Sequence, residues 1–308
     1  MKKPICLSDR GRFGVLLRWT IFALLAVISW SPVGHSAEPA PRTMKIWPSL
    51  APGETTDLPG TPLPKRAGEE PPATRVGEIT QPTLEVFEPA EPPRAKTAVL
   101  ICPGGGYNYV VTDKEGSEAA QWLNSLGATA YVLRYRTKTK DAKEHWRRPL
   151  QDAQRAMSLL RGGSVEPKFE RVGILGFSAG GQLAALVATR SAEREYPPVD
   201  KVDEQSCRPD FAMLIYPWQL YEPATGKLIP QLTVTATTPP TFLVHTDDDS
   251  STSLGSAFFY AALKQQKVPA ELHIFRNGGH GYGLRPVAGS RVHTWPVSAA
   301  AWLEQQGN

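Results

Sequence analysis

Ser178 is the residue whose surroundings in this sequence most clearly suggest chemistry. It is the centre of a Gly-x-Ser-x-Gly pentapeptide at residues 176–180, which follows an apolar run at 172–175 and leads into an Ala- and Leu-rich segment at 179–190. A strand, this pentapeptide and then a helix are typical of a nucleophile elbow, a sharp turn that exposes the serine hydroxyl. The flanking glycines are expected because such a turn leaves no room for a Cβ atom. The pattern therefore predicts a nucleophilic serine at the N-terminus of a helix, where developing negative charge is favoured.

A serine hydroxyl is a weak nucleophile, so it needs a general base and a carboxylate that orients the base. His280 is the candidate base, because it follows an apolar run at residues 270–275 and stands in a glycine-rich stretch at 277–283. After a nucleophile elbow the acid comes next along the chain and the histidine last, and His280 occupies that place. The other histidines lack this context, and we expect His245 and His273 to be ordinary strand residues.

Three consecutive carboxylates, Asp247, Asp248 and Asp249, directly follow an apolar run at residues 241–245. At the carboxyl end of a strand, one of them can reach the imidazole of His280, but spacing alone does not choose among the three. Adjacent carboxylates also suggest a cation site, although known Ca²⁺ loops space their ligands along the chain. We therefore expect one of the three to orient the histidine and no metal to be bound.

A glycine-rich loop at residues 103–107 follows an apolar run at 98–102. Backbone N–H groups in such a loop, together with the N–H of Ala179 after the serine, are suited to stabilise the oxyanion that forms when a serine attacks a carbonyl. A phosphate-binding loop is the competing interpretation. It is disfavoured because neither Gly-Lys-Ser/Thr nor Gly-x-Gly-x-x-Gly is present there, so no nucleotide cofactor is expected.

The elements that must position these residues follow an alternating pattern. Several apolar runs are continuous, as in strands that are buried on both faces, and the segments between them show helical spacing. This alternation predicts an α/β fold with a mostly parallel central sheet and helices on both faces. The predicted strands are residues 83–87, 98–102, 128–133, 172–175, 211–216, 241–245 and 270–275, and helical stripes lie within 119–126, 150–160, 254–262 and 299–303.

Residues 1–37 have the features of a targeting segment. Basic residues precede a short apolar stretch at 19–30, and small residues follow it. This order predicts a signal peptide and therefore a secreted or periplasmic protein. An uncleaved membrane anchor is the alternative, although the apolar stretch is short for a transmembrane helix. Once the leader is cleaved, we expect no stable membrane span.

Composition excludes further classes of protein. The chain has 34 Lys and Arg against 30 Asp and Glu, but five of these basic residues and one acidic residue lie in the predicted leader. The remaining 29 of each sign balance, so nucleic-acid binding is not expected. Three cysteines exclude a disulfide scaffold, and the sequence leaves open whether Cys102 and Cys207 form a bridge.

The sequence divides after the leader into a proline-rich arm at residues 38–82 and a catalytic domain at 83–308. Proline removes backbone donors, so the arm is expected to be neither helical nor a central strand. A disordered linker is one interpretation. We favour an extended arm with an ordered part, because Ile46, Trp47 and Leu50 are apolar enough to dock on the domain.

Three motifs resemble those of a known family. Cys-Pro-Gly-Gly-Gly-Tyr at residues 102–107, Gly-Phe-Ser-Ala-Gly-Gly at 176–181 and Gly-Gly-His-Gly-Tyr-Gly at 278–283 are similar to motifs of the α/β-hydrolase superfamily. They resemble most its secreted esterase and lipase branch, which includes acetylxylan esterases and other carbohydrate esterases. The resemblance extends over about residues 46–284.

The resemblance implies a role for each matching residue. Ser178 would be the nucleophile, His280 the base and Asp249 the acid, with Asp248 as the alternative acid. The Pro and Val that often continue the acid loop in this family are replaced here by Ser250 and the residues that follow it. The implied oxyanion donors are the backbone N–H groups of Gly105, Gly106 and Ala179.

The same resemblance implies a function. It suggests a secreted serine esterase that hydrolyses short-chain acyl esters through an acyl-enzyme and needs no cofactor. The implied substrates are small-molecule or polysaccharide esters, chiefly acetyl groups on xylan-like carbohydrate. The alternatives are a serine exopeptidase of related fold, which usually carries an additional gating domain, and a non-catalytic binding protein, which would lack a member of the triad.

Overall fold

The computed structural model describes residues 41–90, 96–137, 143–162 and 168–307. The signal peptide predicted at residues 1–37 lies outside the described residues. Within them, the helices are all too short or too polar to cross a membrane. Cys102 and Cys207, whose pairing the sequence left open, are both buried and carry free thiols.

Strands and helices alternate through most of the described chain. The strands are β1 Arg42–Lys45, β2 Thr61–Pro62, β3 Arg75–Gly77, β4 Thr83–Phe87, β5 Thr97–Cys102, β6 Tyr109–Val111, β7 Thr129–Arg134, β8 Arg171–Phe177, β9 Ala212–Ile215, β10 Tyr221–Glu222, β11 Lys227–Leu228, β12 Thr241–Thr246 and β13 Ala270–Phe275. The α-helices are α1 Glu118–Ser125, α2 Arg147–Arg161, α3 Ala179–Thr189, α4 Leu254–Gln265 and α5 Trp295–Gln305. A π-helical turn at Asp113–Ser117 leads into α1, and 3₁₀ turns lie at Lys201–Glu204 and Val292–Thr294.

The central sheet has eight strands in the order β1-β4-β7-β5-β8-β9-β12-β13. The six strands from β7 to β13 in this order pair in parallel, while β4 is antiparallel to both β7 and β1. Each of the seven strands predicted from apolar runs is present, with ends that differ by at most two residues. The prediction of a mostly parallel sheet is therefore confirmed.

Helices cover both faces of this sheet. One buried cluster joins Leu150 of α2, Leu183 of α3 and Phe259 of α4 to one face. A second cluster joins Leu123 of α1 and Trp295 of α5 to the other face. Successive residues of the central strands enter opposite clusters, since strand side chains alternate between faces. The two-sided burial explains why these strands are continuous apolar runs in the sequence.

Part of the proline-rich arm belongs to this core. Strand β1 pairs with β4 at the edge of the sheet, and the two residues that follow it, Ile46 and Trp47, are buried. The indole N–H of Trp47 donates to Asp152 of α2 over 2.9 Å, and Arg155 of α2 donates to the carbonyl of Ile46 over 3.0 Å. Leu50, which we expected to dock with these residues, is exposed. Strands β2 and β3 of the arm pair with each other, and β3 also pairs with β6.

Candidate active site

Ser178 stands in a sharp turn between β8 and α3. Its φ of 52° and ψ of −120° are outside the regions that a residue with a side chain prefers. A Cβ atom on Gly176 would lie 2.0 Å from the carbonyl oxygen of Gly180, and one on Gly180 would lie 1.9 Å from that of Cys102. Both glycines are thus required for the steric reason expected from the sequence, and the turn holds the hydroxyl at the carboxyl end of the sheet.

The three side chains assigned from the sequence meet at this end of the sheet. The Oγ atom of Ser178 lies 2.7 Å from Nε2 of His280, and Nδ1 of His280 lies 2.7 Å from Oδ2 of Asp249. With its proton on Nδ1, the imidazole donates to the carboxylate and accepts the serine hydroxyl through Nε2. Asp249 is buried, whereas His280 is partly exposed. The arrangement can remove the hydroxyl proton and hold the resulting imidazolium beside a negative charge.

The structure shows which of the three consecutive aspartates contacts His280, a choice that their spacing in the sequence left open. Asp249 contacts the imidazole, while Asp247 is exposed and its side chain makes no hydrogen bond or ion pair with the described residues. Asp248 accepts the backbone N–H groups of Gly279 and Gly278 over 2.9 and 3.2 Å, and these hydrogen bonds lower its pKa. Asp248 therefore fixes the loop that carries the histidine. No cluster of three or more potential metal ligands occurs in the described ranges.

Asp249 also contacts a second histidine, His245, which the sequence suggests to be an ordinary strand residue. His245 is fully buried at the end of β12, with Nε2 3.2 Å from Oδ2 of Asp249 and Nδ1 2.9 Å from Oγ of Ser256. The backbone N–H of Ser251 donates to the other carboxylate oxygen over 2.7 Å. Burial alone would raise the pKa of Asp249, but the hydrogen bonds from His245, His280 and Ser251 hold it well below its usual range. The carboxylate is consequently ionised at neutral pH.

Three backbone N–H groups suited to hold an oxyanion lie close to the serine. Gly105 and Gly106, in the loop after β5, border the same cavity of about 360 Å³ as Ser178, and Ala179 begins α3. Within the described chain, their N–H groups have no hydrogen-bond acceptor. Gly105 has a φ of 137°, and a Cβ atom there would lie 1.9 Å from the carbonyl oxygen of Tyr109. The loop conformation therefore requires glycine at this position.

A buried carboxyl group that the sequence analysis did not identify supports the oxyanion loop. Glu115 accepts the N–H of Gly104 over 2.8 Å and the hydroxyl of Tyr216 over 2.9 Å. The same hydroxyl accepts the N–H of Gly283 over 2.8 Å, and the Tyr216 ring packs edge-on against His280 at 5.1 Å. Burial raises the pKa of Glu115, and the hydrogen bonds that it accepts from Tyr216 and Gly104 act against this rise. Glu115 and Tyr216 together tie the oxyanion loop to the histidine loop.

We expect Glu115→Ala to lower kcat for an aryl acetate by about 10- to 100-fold, because the freed loop would misplace the oxyanion donors. Glu115→Gln should recover part of this loss, since the amide oxygen can still accept the N–H of Gly104. Steady-state kinetics should show the change mainly in kcat and much less in KM. Equal losses for both variants, or losses that match the fraction of unfolded protein in thermal melts, would contradict a positioning role.

Parts of the sequence are similar to a family model and to two curated proteins. A family model described as an alpha/beta hydrolase fold matches residues 99–231, a range that contains Ser178 and the oxyanion loop and ends before Asp249. An acetylxylan esterase of Xylanibacter ruminicola is 27% identical over 215 residues, which are 61% of this chain and 41% of that protein. Endo-1,4-beta-xylanase B of Butyrivibrio fibrisolvens is 28% identical over 207 residues, 60% of this chain and 32% of that protein. The chain thus spans less than half the length of these curated relatives.

One solved structure is similar to this chain over nearly the whole length of the solved protein. The acetyl ester-xyloside bifunctional hydrolase from Caldicellulosiruptor lactoaceticus is 31% identical, with a TM-score of 0.67. The match covers 88% of this chain and 98% of that one. The similarity therefore extends over most of both chains and shows a shared fold.

Proposed function

This chain belongs to the α/β-hydrolase family, and we propose that it is a serine esterase that releases short acyl groups, chiefly acetyl, from xylan-like carbohydrate. The proposal depends above all on one observation. Ser178, His280 and Asp249 form a continuous chain of hydrogen bonds beside three backbone N–H groups that have no acceptor in the described residues. Acyl transfer through a serine requires these groups: a nucleophile, a general base with an orienting carboxylate, and donors for the oxyanion.

The proposed reaction has two halves. The Oγ atom of Ser178 attacks the ester carbonyl carbon while Nε2 of His280 takes the hydroxyl proton, and Asp249 stabilises the imidazolium. The N–H groups of Gly105, Gly106 and Ala179 hold the oxyanion. His280 then gives its proton to the departing alkoxide, leaving an acyl-enzyme. Water attacks this ester while His280 takes a proton from it, and the bond between Oγ of Ser178 and the acyl carbon then breaks as His280 returns the proton to Oγ. The carboxylic acid leaves, and the free serine is restored.

The substrate class is supported by the relatives and by the size of the site. Two of the similar proteins are named an acetylxylan esterase and an acetyl ester-xyloside bifunctional hydrolase. The cavity at Ser178 is about 360 Å³, within the range for small-molecule sites, so it has room for an ester group beside the serine. Secretion or periplasmic export, as the predicted signal peptide implies, would bring the protein to polysaccharide outside the cell.

Substrate profiling tests the proposal. We expect acetate release from acetylated xylan and turnover of 4-nitrophenyl acetate, with slower turnover of longer acyl chains and little cleavage of aminoacyl 4-nitroanilides. Anilide cleavage without acetyl release would instead favour a serine exopeptidase. If the folded protein hydrolyses none of these compounds, a non-catalytic binding protein becomes the better interpretation.

A further inference from the structure

A second cavity, of about 540 Å³, adjoins the one that contains Ser178. Trp218 borders both cavities, and its backbone N–H donates to the carbonyl of Ser178 over 2.9 Å, which fixes it relative to the nucleophile. Ser251 borders the second cavity, and its Oγ atom lies 3.4 Å from Nδ1 of His280. We call this second cavity the tryptophan cleft. A molecule lying in the cleft is thus beside the triad and can present a substituent to it.

The lining of the tryptophan cleft combines flat aromatic rings with uncharged polar groups. Trp218 and Tyr221 are partly exposed there. The side-chain amides of Gln219 and Gln231 and the hydroxyl of Tyr221 also belong to residues that line the cleft, and they have no hydrogen-bond partner among the described residues. Among the described residues that line it, the charged side chains are one lysine and one glutamate, whose charges cancel.

These features match a neutral sugar chain. A pyranose ring has a face of C–H groups, which packs on an aromatic ring, and a rim of hydroxyls, which hydrogen-bond to amides and phenols. Because the charges of the described lining cancel, this part of the cleft offers no advantage to an ionic ligand. The volume of about 540 Å³ is within the range of small-ligand sites and exceeds that of the cavity at Ser178.

The backbone around the cleft is strained. Gln219 and Thr252, which both line it, have φ angles of 47° and 61°, in the left-handed region that favours glycine. Tyr216, at the start of the turn that carries Trp218, has a φ of 40°. Such conformations are unfavourable and persist where the surrounding structure maintains them, often at binding sites. The strain therefore supports a binding role for this turn.

Packing against neighbouring side chains fixes the outer rim and the inner wall of the cleft. Hairpin β10–β11 forms the outer rim, and the ring of Tyr221 packs against Phe258 of α4 at 5.5 Å. On the inner side, Tyr107 packs against Trp218 at 6.3 Å and donates to the side chain of Gln182 over 2.9 Å. Both walls of the cleft are thus fixed by packing, as a preformed subsite requires.

We propose that the tryptophan cleft is a saccharide subsite, which binds neutral pyranose units next to the unit whose acyl group reaches Ser178. This inference deepens the proposed function and depends on it for the reaction, but not for the binding of sugar. It predicts that the chain recognises several units of a polysaccharide rather than the acetyl group alone.

Binding of an unacetylated oligosaccharide tests the subsite without any hydrolysis. We expect xylohexaose to bind the full chain saturably in isothermal titration calorimetry. Tyr221→Ala and Gln231→Ala should each weaken this binding at least fivefold, and Tyr221→Phe should weaken it less because the ring is kept. The matched control is Gln265→Ala, an exposed glutamine of α4 outside the cleft, which should bind as the parent does. Absence of saturable binding by the folded parent would overturn the proposal.

Kinetics separates the subsite from the reaction. In Tyr221→Ala, kcat/KM for acetylated xylo-oligosaccharides should fall at least tenfold more than kcat/KM for 4-nitrophenyl acetate, which is too small to fill the cleft. Equal losses on both substrates would overturn the subsite and leave the esterase intact. If xylohexaose binds but no ester is hydrolysed, the proposed function fails and the saccharide site is retained.

Discussion

Replacing Ser178 by alanine is expected to lower kcat for 4-nitrophenyl acetate by about 10⁴- to 10⁶-fold, the range seen when a serine nucleophile is removed from a triad. The substitution deletes the atom that forms the acyl-enzyme and leaves the backbone donors in place. Alanine is smaller than serine, so it fits the turn, and the fold should be retained. Initial-rate measurements test the loss of activity. Covalent labelling with a fluorophosphonate, expected for the parent and absent in the variant, tests the nucleophile directly.

A serine outside the site provides the matched control. Ser298 lies in α5 and makes no side-chain hydrogen bond to the described residues. Ser298→Ala should label and turn over substrate as the parent does, since alanine is also the better helix former. Labelling that persists in Ser178→Ala would show that another residue is the nucleophile. A folded parent that is not labelled would remove the basis for acyl-enzyme chemistry.

The parts of this fold that the sequence predicted are those encoded locally. Strands buried on both faces must be continuous apolar runs, so β5, β8 and β12 could be recognised one at a time. The turn at Ser178 was recognisable because its steric demand imposes glycine at 176 and 180, within a few residues of the serine. His280 followed from the order of the loops along the chain.

The parts that were missed depend on contacts between distant segments. Glu115 and Tyr216 are 101 residues apart and meet only because β5, β8 and β9 are neighbours in the sheet. Strand β1 has the sequence Arg-Thr-Met-Lys, which is exposed apart from its methionine and carries no strong apolar pattern, and it forms by pairing with β4. His245 offered one local signal: it stands four residues before Asp249, at the end of a strand, so a short turn brings both side chains together.

Asp249→Asn is expected to lower kcat by about 10⁴-fold, the loss observed when the acid of a serine triad becomes an amide. Oδ2 of Asp249 accepts from two imidazoles and Oδ1 accepts a backbone N–H. In either orientation, therefore, the NH₂ group of asparagine faces a donor. The neutral amide also cannot stabilise the imidazolium of His280. Steady-state rates, with circular dichroism to verify folding, measure the effect.

The two neighbouring aspartates make this prediction specific. Asp247→Asn should leave kcat unchanged, because that side chain is exposed and has no partner in the described chain. Asp248→Asn should lower kcat only modestly, by about tenfold or less, since an amide oxygen can still accept one of the two glycine N–H groups that fix the histidine loop. A larger loss in Asp248→Asn than in Asp249→Asn would move the acid to the other residue. It would also mean that the buried contact between Asp249 and His280 is not the one used in catalysis.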